Sequence, residues 1–160
     1  MQVAREPSEL SSPSDPADVE AWCRNAGLRL TATRREVLTV LRENHAPMSA
    51  YALISVLSLR LGRKVSPPTV YRALDALREH GLVARIVSRN AFLARDFPAS
   101  RDAALIYLCV RCGSASEVTD PSIGQRVAID AKQMHFHVAH EIHEVEGVCG
   151  ACAPGVKTSA

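Results

Sequence analysis

Apolar residues recur along this chain with two different periods, and the change from one to the other divides it. Val37, Leu38 and Leu41, then Leu53, Val56, Leu57 and Leu61, then Val70, Ala73, Leu74 and Leu77 fall three or four residues apart. That spacing gathers each set on one side of a helix. Local signals bound the helices. Asp15-Pro16 offers an N-cap followed by proline for an earlier helix that Gly27 closes, and Thr33-Arg34-Arg35-Glu36 reads as a capping box for a helix to about Glu43. Ser49 caps the next, which Gly62 ends, and Ser66-Pro67-Pro68 gives a rigid entry to the last of the four, closed by Gly81. The apolar stripe of this last helix leaves Thr69, Tyr71, Arg72, Asp75 and Arg78 on or near its open side.

The period then shortens to two. Residues 82–87 and 91–95 alternate as strands about a Ser88-Arg89-Asn90 turn. Beyond a hinge at 96–103, residues 104–108 form an apolar strand, 114–118 a return strand, and Asp120-Pro121 opens a helix carrying Ile123, Val127, Ile129 and Ala131. Residues 135–144 alternate as a final strand, which would place His135, His137, Glu141 and His143 on one face and Phe136, Val138, His140 and Ile142 on the other. Four helices followed by a β-hairpin are the order of a winged helix-turn-helix. The whole reads as an α+β chain: a disordered tail at 1–14, a winged-helix domain at 15–95, the hinge, a small α/β domain at 104–153, and a tail at 154–160.

At 160 residues and 47% hydrophobic the chain can fill two small cores. A net charge of +2 decides nothing by itself. Its distribution does: from Arg24 to Cys109 bases outnumber acids, whereas Glu117, Asp120, Asp130, Glu141, Glu144 and Glu146 make the rear acidic. A basic front suits double-stranded DNA, with Arg72 and Tyr71 facing base edges, Thr69 and Tyr51 beside them, and Arg34, Arg85 and Arg89 on phosphates. An ordinary solvated helix face is the plainer account of the same residues. No apolar run is long enough to cross a bilayer and no leader pattern stands at the N-terminus, so a cytoplasmic protein without membrane contact is expected.

Two cysteine pairs dominate the rear, Cys109-Val110-Arg111-Cys112 and Cys149-Gly150-Ala151-Cys152. Each C-x-x-C knuckle can turn two thiolates to one tetrahedral ion, and four together complete a closed structural zinc site. Two disulfides or redox pairs are the competing account, although neither knuckle opens a helix after a strand. The fifth cysteine, Cys23, is either a small buried residue or a further ligand. His140, on the apolar side of the expected strand, is either a satisfied core histidine or a ligand. Hydrolase and deaminase chemistry finds no support, because His140-Glu141-Ile142-His143 is one residue short of H-E-x-x-H and no H-x-E accompanies a P-C-x-x-C. The chain does not read as an enzyme.

Leu30-Thr31-Ala32-Thr33-Arg34, Pro68-Thr69-Val70-Tyr71-Arg72-Ala73-Leu74, Gly81-Leu82-Val83, the two cysteine pairs and the run from Phe136 through His140 to Cys149 resemble the ferric uptake regulator family of bacterial metal-responsive repressors, most closely its zinc-uptake branch. The resemblance spans roughly residues 19–152. It implies a winged-helix DNA-binding domain, a C-terminal dimerisation domain, one structural zinc per chain on the four cysteines, and a second, sensory ion between the domains. It also implies a homodimer on an inverted-repeat operator, repressing metal-uptake genes. In the branch the sensory ligands are a His after the recognition helix, a Cys closing the wing, a His in the hinge and a Glu after the first knuckle. Here those places hold Ala84, Arg95, Asp102 and Glu117. Three outcomes follow: Arg95 pairs with Glu117 or Asp102 and stands in for the ion; a site is rebuilt from His140 with Glu117 or Asp102, or from His135, His137 and His143; or the chain is a paralogue that binds DNA without metal sensing or answers to thiol chemistry.

Overall fold

A computed structural model describes residues 16–95 and 104–153. Both tails and the hinge, with Asp102 in it, lie outside the described residues. The front half holds four helices, α1 (Pro16–Asn25), α2 (Ala32–Glu43), α3 (Ala50–Arg60) and α4 (Pro67–Glu79). It also holds a sheet of β1 (Met48–Ser49), β2 (Val83–Ile86) and β3 (Ala91–Ala94), ordered β1-β3-β2 and antiparallel throughout. The rear half has β4 (Ala104–Cys109), β5 (Ala115–Thr119), α5 (Pro121–Gln133) and β6 (His143–Gly147). Its sheet runs β5-β4-β6, with β5 antiparallel and β6 parallel to β4.

The helical stripes meet as their spacing requires. Val37, Leu38, Leu41, Leu53, Leu57, Val70, Leu74 and Leu77 are buried in one interior that also takes in Cys23, Val83 and Phe92. Gly27 and Gly81 close their helices at φ +74° and +72°, where a side chain would be strained. Ion pairs Arg35–Glu20 and Arg60–Glu43 tie α2 to α1 and α3 across the surface.

Three local expectations are corrected, and one short strand is added. The cap of α2 is Thr31, whose hydroxyl accepts from the Arg34 amide at 3.4 Å, so the helix begins two residues earlier than a Thr33 box allows. Both prolines lie inside α4 as its first turn, and Ser66 bonds the Thr69 hydroxyl at 2.7 Å instead of capping the backbone. Strand β1 is only two residues long, too short to leave an alternation of its own. The expected strand at 135–144 is largely absent. Helix α5 closes through a Schellman turn, with Phe136 N donating to Ala131 O at 2.8 Å, His135 N to Lys132 O at 3.3 Å, and His135 at φ 53°. The ladder begins only at His143, opposite Leu105. Phe136, Val138, His140 and Ile142 are therefore exposed, not one apolar face.

The wing hairpin is covered on both sides. Val83 and Phe92 face the helices, while Ile86, Ala91 and Leu93 join Ile106 and Leu108 of the rear sheet in a second buried cluster. Residues alternating along one strand thus serve two cores, which docks the halves on each other.

Candidate metal centre and nucleic-acid face

Strand β4 delivers Cys109 buried at its end, and a tight turn through Gly113 at φ +77° brings Cys112 back under it. Strand β6, hydrogen-bonded beside β4, carries the chain to the second knuckle, where Cys152 N donates to Cys149 O at 3.0 Å. Arg111 spans the knuckles by donating to the Cys152 carbonyl at 2.6 Å. All four sulfurs lie within 4.8 Å of one another and none is in a disulfide. The Cys112 and Cys149 sulfurs are 3.7 Å apart. Four thiolates around zinc at about 2.3 Å stand roughly 3.8 Å from each other, so the donor set fits the ion in both chemistry and spacing.

The protonation of the cluster points the same way. Amide donation from Cys112 and Cys149 lowers the Cys109 thiol from 9.0 to about 5, the Cys149 amide lying 3.4 Å from its sulfur. The Ser114 hydroxyl, 3.1 Å from the Cys112 sulfur, lowers that thiol too. Cys152 is pushed up to about 12 by Cys112 and Cys149 beside it. Four sulfurs this close cannot all be anionic unless a cation sits among them. Among the described residues this is the one cluster of three or more such donors close enough to share an ion.

The other candidate ligands are not gathered. His135, His137 and His140 are exposed, and His143 rests against Glu141 at 3.1 Å. His140 lines an open cleft of about 800 Å³ between the wing, α5 and the chain leading to β6, with Arg85, Arg95 and Glu144 on other walls. Glu117 is engaged by Arg95: the guanidinium Nε donates to its two oxygens at 2.9 and 3.2 Å, and a second nitrogen contacts Oε1. Cys23 lies wholly inside the helical core, where burial raises its thiol. It takes no part in the four-cysteine cluster.

In the front half, α4 spends Val70, Ala73, Leu74, Ala76 and Leu77 on the core and leaves Thr69, Tyr71, Arg72, Asp75 and Arg78 exposed. Arg34, Arg72, Thr31, Thr33 and Thr69 line one basin of about 190 Å³. Two guanidinium groups and three hydroxyls are donors suited to phosphate oxygens. Arg34 is steadied by donating to the Arg29 carbonyl at 2.7 Å. Tyr51 stands 76% exposed near the start of α3. Arg85 is exposed and donates to Asn90 Oδ1 at 3.3 Å.

Arg89, on the wing turn, contacts the rear domain. It donates to the Cys109 carbonyl at 3.2 Å and lies 3.5 Å from Glu146. Its guanidinium is thus engaged by the rear domain. Beside it Glu144 accepts the Val87 and Ser88 amides at 2.6 and 3.0 Å. Burial of Glu144 raises its carboxyl, but these donors and Arg89 outweigh it and the net shift is downward. Sequence reasoning passed over Glu144 and the Cys109 carbonyl, since no local spacing relates residues so far apart in the chain.

The profile of the ferric uptake regulator family matches residues 25–146. The chain belongs to the ferric uptake regulator family. The zinc uptake regulation protein of Escherichia coli K12 is 34% identical over 137 residues, 85% of this chain and 80% of that protein. Among solved structures, a zinc uptake regulator complexed with zinc and DNA superposes with a TM-score of 0.79 at 33% identity, covering 85% of this chain and 91% of the other. The holo form of the regulator XcZur gives 0.76 at 35%, over 85% and 94%. As a family member the chain is a transcription regulator, not an enzyme, and no described helix is long and apolar enough to cross a membrane.

Proposed function

We propose that the chain is a zinc-dependent, sequence-specific DNA-binding repressor of zinc-uptake genes, acting in the cytoplasm as a homodimer on an inverted-repeat operator. Residues 15–95 form the reading head and 104–153 the dimerisation domain, held by zinc on Cys109, Cys112, Cys149 and Cys152. The observation that carries the reading is α4, whose buried side locks into the core while Tyr71 and Arg72 are exposed and Arg72 shares a basin with Arg34. Arg72 and Tyr71 read base edges with Thr69, and Arg34, Tyr51 and Arg85 hold phosphates. The neighbour bound to zinc and DNA supports this use of the helix.

The test is fluorescence anisotropy with the zinc-loaded protein on a palindromic duplex selected from a random pool and on random DNA. Arg72→Ala should weaken the selected duplex by about 1–3 kcal/mol while random DNA changes little. Arg34→Ala should weaken both and lower the salt slope by about one. Equal loss on both duplexes for Arg72→Ala would remove it from base reading, and a pool that yields no preferred sequence would overturn the function.

A further inference from the structure

The wing is fastened to the rear domain at both ends. At the free end of the hairpin Glu144 takes the Val87 and Ser88 amides, and Arg89 reaches the Cys109 carbonyl. At the other, Arg95 is fixed through its backbone, donating to Leu82 O at 3.0 Å, and through its guanidinium, which spans both oxygens of Glu117. Between the two lies the cluster of Ile86, Ala91, Leu93, Ile106 and Leu108. Glu117 stands on β5 opposite Ile106, so the ion pair borders this apolar patch, and its side chains are only 14% and 12% exposed.

A carboxylate so placed needs a cation, and the chain supplies its own. Arginine cannot release its proton, and its planar fork matches a carboxylate through two bonds at once. A divalent ion entering here would have to displace a fixed positive charge and leave it without its partner. Salt screens such a pair weakly, unlike the exposed bridges on the helices.

We infer that Arg95 and Glu117 are positioning residues, a permanent clasp that sets the angle of the reading head without an ion at the wing. The zinc dependence of DNA binding then resides wholly in the four-cysteine cluster, and its link to the wing is Arg89 on the Cys109 carbonyl. This rests on the DNA-binding reading above, so the test has one arm that needs no DNA.

Full-length dimer carrying one zinc per chain is compared with Arg95→Ala, Glu117→Gln and the reversed pair Arg95→Glu with Glu117→Arg. Small-angle scattering is measured without DNA, and affinity for the selected duplex is measured across a series of buffered free zinc. Wild type should bind DNA with the same affinity at every free zinc concentration that keeps the cysteine site full. Each single variant should scatter as a more extended particle and bind the duplex about 5- to 150-fold more weakly, the span of an ordinary coupling between sites. The reversed pair should restore much of both, which a merely misfolded variant would not. A second zinc per chain accompanied by a steep gain in wild-type affinity would overturn the clasp, as would single variants that scatter like wild type. If no protein prefers any duplex, the function fails and scattering alone decides the clasp.

Discussion

Across residues 16–95 the helices share a continuous apolar interior from Val19 to Phe92, whereas across 104–153 the described residues bury only Ile106, Leu108, Cys109 and Ala131 among their hydrophobic side chains. The rear instead leaves Tyr107, Val118, Ile129, Met134, Phe136 and Ile142 in the open. The front can rest on burial, at about 25 cal/mol per Å² of apolar surface. The rear buries far less, and what it has besides is the wing docked on one face of its sheet and four sulfurs close enough to share the proposed zinc.

The strongest way to break this contrast is to remove a sulfur. Structural zinc contributes on the order of 10–16 kcal/mol in small domains, comparable to or larger than the whole net stability of an ordinary one. Cys112→Ser should therefore lose zinc and dimerisation together while the helical half keeps its circular dichroism. A zinc-loaded dimer from this variant would show that the rear has a core of its own.

Acid should reach the same end without mutation. The Cys109 thiol falls from 9.0 to about 5, so its thiolate stabilises the native cluster fully above about pH 9 and that contribution is lost as pH falls through about 5. Zinc release, followed with a colorimetric chelator, should accordingly rise on acidification toward pH 5, with the front half still folded. Zinc held unchanged at pH 4 would contradict the assignment.

A smaller effect sharpens the other side. Leu74 is fully buried where α4 meets the core, and Leu74→Ala should cost about 2–5 kcal/mol in thermal or urea unfolding of the front, with zinc content unaltered. Zinc lost along with it would mean that the halves unfold as one. Smallest is the cap of α2: Thr31→Ala should cost about 1 kcal/mol and Thr33→Ala much less, an order that a box at Thr33 would reverse.

Where folding is local, the residues announced it. The stripes of α2, α3 and α4 were legible because burial on one face enforces a period of 3.6, and the cysteine knuckles because one ion needs four donors in a small volume. The apparent strand at 135–144 misled for a physical reason: alternating His and apolar residues satisfy a period of two, yet 134–136 complete the closing turn of α5. The resemblance put Arg95 within the same site as Glu117 and Asp102 and left two pairings open, and the fold brings Arg95 and Glu117 together. Glu144 and the contact of Arg89 with the rear domain were hidden, since the register of β6 on β4 decides them and no short pattern encodes it.

Cys23 turns the contrast between the halves into two clocks. Its thiol is sealed inside the helices and raised by that burial, so an alkylating reagent finds neither access nor thiolate until α1 leaves the core. Labelling at Cys23 is then paced by opening of the front, while labelling at the other four cysteines is paced by departure of the ion. One mass-spectrometric time course on native protein thus separates into a phase for each half, and zinc in the buffer slows only the second.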